Sequence, residues 1–77
     1  KISEFGEISK DALLLIPRKI AEEHTMMPLS VEGGMLKIAM AVPSVEIRSA
    51  IKTLINMDVE AYIASEDEIR KAIAENY

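Results

Sequence analysis

A chain of 77 residues has room for one domain with one modest core, because a chain this short buries only about 60% of the surface it exposes when unfolded. That argues against a deep catalytic cleft with its own scaffold. Hydrophobic residues at 49% and charged residues at 29% are the balance of an ordinary globular domain, not of a disordered or fibrous chain. With 9 Lys and Arg against 13 Asp and Glu, the formal net charge of -4 argues against nucleic acid as a partner, since neutralising phosphates requires a basic face.

Cysteine is absent, so the core must supply stability without disulfides or a thiolate metal site, and a reducing cytoplasm is permitted. The longest apolar run, Ala12 to Ile16, falls far short of the roughly 20 residues that span a bilayer, and no signal-peptide pattern opens the chain. No direct membrane insertion is expected. The first residue is Lys1, which favours an excised piece of a longer protein.

Residues 1–8 carry a weak alternation over Ile2 to Glu4 and a break at Gly6, and read as an N-terminal arm or a short edge strand. The domain proper is expected over residues 9–77. Ser9 is placed as an N-cap with Asp11 in the first turn, and Ala12 to Ile16 supply the buried side of a first helix. Pro17 cannot continue that helix but suits the first position of a second one, running to about His24 with Ile20 and Ala21 inward.

From Met27 the period changes to two, so that Met27, Leu29 and Val31 share one face and Pro28, Ser30 and Glu32 the other. Gly33-Gly34 fits the two central positions of a type I′ hairpin turn, and Met35 to Ala41 returns. Pairing Glu32 with Met35 then sets Val31 opposite Leu36, Leu29 opposite Ile38 and Met27 opposite Met40. Pro43 stops the strand, Ser44 caps the next helix, and Ile47, Ala50, Ile51 and Leu54 form its apolar stripe. Asn56 tolerates the left-handed conformation that closes many helices, and a third strand follows with Val59, Ala61 and Ile63 on one face. Ser65 to Glu68 is a capping box, opening a last helix whose Ile69, Ala72 and Ile73 face inward.

The segment from Met35 to Ala64 is long enough for a right-handed crossover, which makes the second and third strands parallel. The expected fold class is α/β: a small two-layer sandwich with a three-stranded mixed sheet, made of a β-hairpin plus a crossover strand, and helices on one face. The element order is α-α-β-β-α-β-α.

Candidate chemistry is sparse. His24 has only Glu22 and Glu23 as acidic neighbours in sequence, and a cation at a helix C-terminus is accounted for by the dipole. One His, no Cys and carboxylates spread over separate helices give no metal-ligand spacing. Gly33-Gly34 joins two strands instead of feeding a helix, so it is not a phosphate loop. Glu66, Asp67 and Glu68 are accounted for by the capping box and the helix dipole. No catalytic, cofactor-binding or metal-binding residue is expected. Of the five Met residues, Met27 and Met40 fit the core face, whereas Met26, Met35 and Met57 do not, and these three are the candidate partner-binding residues.

Leu15-Ile16-Pro17, then Ala21, then Pro28-Leu29 resembles the leucine-leucine-proline, alanine, proline-leucine pattern in the N-terminal domain of type II secretion and type IV pilus assembly ATPases. Gly34 to Ala41 followed by Pro43 resembles that family's second hairpin strand, and Val59 to Ser65, Ile69, Ala72-Ile73 and Tyr77 its last strand and closing helix. Val42 departs from the pattern, for the family usually has Asp immediately before that proline. The resemblance implies a non-catalytic docking domain that joins the motor to the cytoplasmic domain of an inner-membrane platform protein. It also implies a cytoplasmic location, peripheral to that membrane, and a hexameric ATPase core beyond residue 77. The alternative it leaves open is a regulatory module sensing cyclic di-GMP or another nucleotide. In some relatives an upstream domain binds cyclic di-GMP through two motifs of arginine or lysine, leucine and glycine; nothing in Lys1 to Glu7 matches them, and Arg18, Arg48 and Arg70 are dispersed along the sequence.

Overall fold

Pro17 divides the first helical stretch in two. In the computed structural model, which describes residues 8–77, α1 (Lys10–Leu15) ends one residue before an extended Ile16, and α2 (Arg18–His24) starts one residue after the proline. The residue before a proline is pushed out of the helical region, which is why Ile16 sits at φ -120, ψ 112. Pro17 takes the N-cap position at φ -60, ψ 147, one place earlier than the sequence suggests. Ser9 stands at the N-cap of α1 but makes no side-chain cap bond. Its backbone N–H instead donates to the Leu29 carbonyl at 2.9 Å. The arm or edge strand expected over residues 1–8 lies, apart from Ile8, outside the described residues.

Strands β1 (Met26–Glu32) and β2 (Met35–Met40) form the antiparallel hairpin. Gly33 and Gly34 turn it with φ of 58 and 76, the left-handed pair that a type I′ turn requires. Near the turn the expected register holds, with Glu32 opposite Met35 and Val31 opposite Leu36. Beyond Ser30 it does not: a bulge at Leu29 shifts the pairing, so Pro28 faces Ile38 and Met26 faces Met40. The expected pairs Leu29 with Ile38 and Met27 with Met40 are thereby corrected. Two local causes favour the bulge. Pro28 has no N–H to give the ladder, a residue type confined to sheet edges and bulges, and the Leu29 carbonyl is engaged by Ser9 on the other side.

A crossover through α3 (Val45–Ile55) brings β3 (Asp58–Ile63) parallel to β2, giving strand order β1-β2-β3, and α4 (Glu66–Asn76) closes the chain. The mixed sheet and the element order are those expected from the sequence. The Ser44 and Ser65 hydroxyl oxygens each accept from the backbone N–H three residues on, at 3.2 Å. Asn56 ends α3 at φ 54. A second left-handed residue, Thr25 at φ 49, ends α2; a β-branched residue is uncommon there. Its N–H donates to Ala21 and its carbonyl accepts from Ala41.

Helices α1, α2 and α4 pack on β1, whereas α3 packs on β3. One sheet face carries the buried Leu36, Ile38 and Met40 with Met26 and Pro28 beside them. The other carries Lys37, Glu60 and Glu32, and is apolar and buried only where Met27 pairs with Ala39. In α4 the stripe Ile69, Ala72 and Ile73 is buried as expected. In α3 it is narrower than expected: Ile51 is buried and Ile47 and Ile55 pack against the core, but Ala50 and Leu54 face solvent. Spacing of four keeps Ile47, Ile51 and Ile55 on one line, and a strand at the sheet edge has only that line to cover it. Tyr77 ties the C-terminal end to the Pro17 break by donating its hydroxyl hydrogen to the Ile16 carbonyl at 2.7 Å. Burial pushes the Tyr77 phenol up to about 12.

Candidate functional site

The three methionines singled out from the sequence part company in the structure. Met26 is fully buried, because the bulge carries it onto the core face opposite Met40, so the expectation that it lies off that face is corrected. Met35 and Met57 are half-buried and lie at the same end of the sheet, since Asp58, which follows Met57, is the Cα partner of Met35.

Charged side chains surround that hairpin end. Glu32, the cross-strand partner of Met35, holds Lys37 at 2.9 Å, and Lys52 reaches Asp58 at 3.2 Å. The hydrogen bond to Glu32, reinforced by its charge, raises the Lys37 ammonium above its ordinary value. On the same face Tyr62 donates its hydroxyl hydrogen to Glu60, and that bond, with burial, raises the phenol. Ion pairs at the surface add little to stability, and the Lys52–Asp58 pair is exposed on both sides while the Lys37–Glu32 pair is exposed at Glu32. Their arrangement does make a polar rim beside two adaptable thioether side chains, the composition of a protein contact surface.

A second surface lies at the opposite end of the sheet, where sequence reasoning placed nothing. The ends of β2 and β3 and the first turns of α3 enclose a groove of about 230 Å³ lined by Met40, Pro43, Ser44, Val45, Arg48, Ala61 and Ile63. Val45 is 70% exposed and Ile63 60%, and the adjoining Val42 is 72% exposed. The available signal was Val42 itself, an apolar residue where the resembled family usually has Asp. Arg48 makes no ion pair among the described residues, whereas Arg18 is held by Glu22 at 3.5 Å and Arg70 by Glu66 at 2.8 Å. His24 is exposed at the end of α2. Among the described residues no group of three or more His, Asp or Glu side chains is placed to hold a metal ion, and no helix is long and apolar enough to cross a membrane.

The described residues form a small α/β unit with its own core, in which serine hydroxyls cap two helices and the charged side chains make pairs at the surface. The chain belongs to the MshEN domain family, whose model matches residues 4–77. It is 33% identical over 72 residues to the type IV pilus assembly ATPase PilB of Myxococcus xanthus strain DK1622, a match that covers 92% of this chain and 13% of that protein. Among solved structures it is similar to MshE with cdg, with a TM-score of 0.85 and 23% identity over 100% of this chain and 56% of that one. The first two matches bear out the resemblance to the N-terminal domain of secretion and pilus ATPases, and the third bears out the fold. The chain thus spans a small part of the pilus ATPase it matches.

Proposed function

We propose that this chain is a non-catalytic docking module of a type II secretion or type IV pilus assembly ATPase, attaching the motor to the cytoplasmic domain of an inner-membrane platform protein. The observation that carries the reading is the hairpin end, where Met35 and Met57 stand half-buried beside the Glu32–Lys37 and Lys52–Asp58 pairs. Apolar anchors within a polar rim are the usual build of a protein interface. On this reading residues 9–77 are the module. The module takes no cofactor and no metal, and works on the cytoplasmic side of the membrane, held there by its partner. ATP hydrolysis and hexamer assembly belong to parts of the parent outside these residues. The test is a pull-down with the intact parent, with a version lacking residues 9–77, and with Met35→Asp and Met57→Asp, all checked for hydrolysis. Platform retention should fall in all three variants while hydrolysis continues. If the truncated motor is retained as well as the intact one, the docking role is wrong.

A second reading, a regulatory sensor of cyclic di-GMP or another nucleotide, is supported by the likeness to MshE with cdg. Against it, Arg18 and Arg70 are engaged on their own helices. Calorimetry with cyclic di-GMP decides between them: a saturable one-to-one site favours the sensor, and its absence favours docking.

A further inference from the structure

The groove at the α3 end has a mostly apolar lining and one cation, Arg48, which makes no ion pair among the described residues. A fitting occupant therefore offers an aliphatic side chain with a carboxylate close by. The chain itself carries such a pair. Leu14 on α1 is 84% exposed, the most exposed large apolar side chain among the described residues. Asp11 lies three positions earlier on the same helix face and makes no ion pair among the described residues. Single exposed leucines are ordinary; one beside a carboxylate, in a chain that also has an aliphatic groove with an arginine, neither charge being paired among the described residues, is a matched set.

The two halves of this set cannot meet within one molecule. Helix α1 packs on β1 and the groove lies between α3 and β3, at opposite edges of the sheet. Between molecules they can. We propose that the groove receives Leu14 of a second copy of this chain, with Asp11 of that copy paired to Arg48. The contact is heterologous, using different patches on the two partners, so each copy keeps one free knob and one free groove and the association can continue head to tail. It lies at the end of the sheet away from Met35 and Met57, and it stands or falls independently of the docking role proposed for them.

The experiment is sedimentation equilibrium of the chain from micromolar to millimolar concentration. The wild-type mass should rise with concentration. Leu14→Asp and Val45→Asp should each weaken self-association by roughly tenfold or more, the loss expected when an anchor is removed from an interface. An equimolar mixture of the two variants should form a one-to-one pair that grows no further, because one retains the groove and the other the leucine. Both positions are exposed, and circular dichroism verifies that the variants fold. Asp11→Arg and Arg48→Asp provide an independent arm: each alone weakens association, and the double variant restores it. A chain that stays monomeric at millimolar concentration, or variants that associate as wild type does, would overturn the proposal. So would a mixture no more associated than its components.

Discussion

β1 and β3 are both edge strands in the order β1-β2-β3, yet they live in different surroundings. β1 has four consecutive buried residues, Met26 to Leu29, under α1, α2 and α4. β3 has none that is fully buried, and α3 alone among the helices packs closely on it. Place in the strand order therefore does not decide burial; the helices laid over the sheet do. The β1 side holds the stability, and the β3 side presents surface.

The largest expected effect tests that division directly. Leu29→Ala removes a fully buried side chain and should cost about 2–5 kcal/mol. Ile63→Ala, at the exposed end of β3, should change stability by no more than about 0.5 kcal/mol. Urea unfolding of the two variants measures the difference, and equal losses would break the comparison.

The turn that joins β1 to β2 comes next. Gly33→Val or Gly34→Val should cost about 1–2 kcal/mol each, through backbone conformation. A Cβ at either position would meet nothing within 4 Å, so crowding adds nothing. Lys37→Thr on the open face should leave the melting temperature nearly unchanged, because it removes only a surface pair. Thermal melts followed by circular dichroism separate the two cases.

The smallest effect sharpens the comparison with pH. The Tyr77 phenol is pushed from 10.0 up to about 12 by burial, so the folded state holds that proton more tightly than the unfolded chain does. Its contribution is fully present below about pH 10 and is lost as pH rises through about 12. Tyr77→Phe should cost about 0.5–1.5 kcal/mol at neutral pH by removing the bond to Ile16. It should also abolish this part of the alkaline loss. In wild type, amide exchange at alkaline pH, corrected for intrinsic rates, should accelerate around the Pro17 break before it does in α3 and β3. Uniform acceleration would deny the two sides their separate character.

Local chemistry was enough to mark the elements. Pro17 breaks a helix, Gly33-Gly34 turns a hairpin, Ser44 and Ser65 cap, Asn56 closes a helix, and the change of period at Met27 marks a strand, all acting over a few residues of chain. The mixed sheet followed, because the strand, helix and strand from Met35 to Ala64 are long enough for the crossover that parallel pairing requires. The family too was legible, in the run from Leu15-Ile16-Pro17 to Tyr77.

What only the tertiary structure decided lies where two distant segments compete for one group or cover one face. The Leu29 carbonyl accepts from Ser9, and with Pro28 unable to donate, β1 bulges and Met26 turns into the core. Periodicity reports that Ile47, Leu54 and Ile63 sit on apolar stripes but not how far another element extends over them, so the exposure of Leu54 and Ile63 could not be read from spacing. The groove at Arg48 arises from β2, α3 and β3 meeting, and the Tyr77 lock joins residues 61 positions apart. A one-dimensional pattern specifies which side chains share a face; only packing in three dimensions specifies what that face meets.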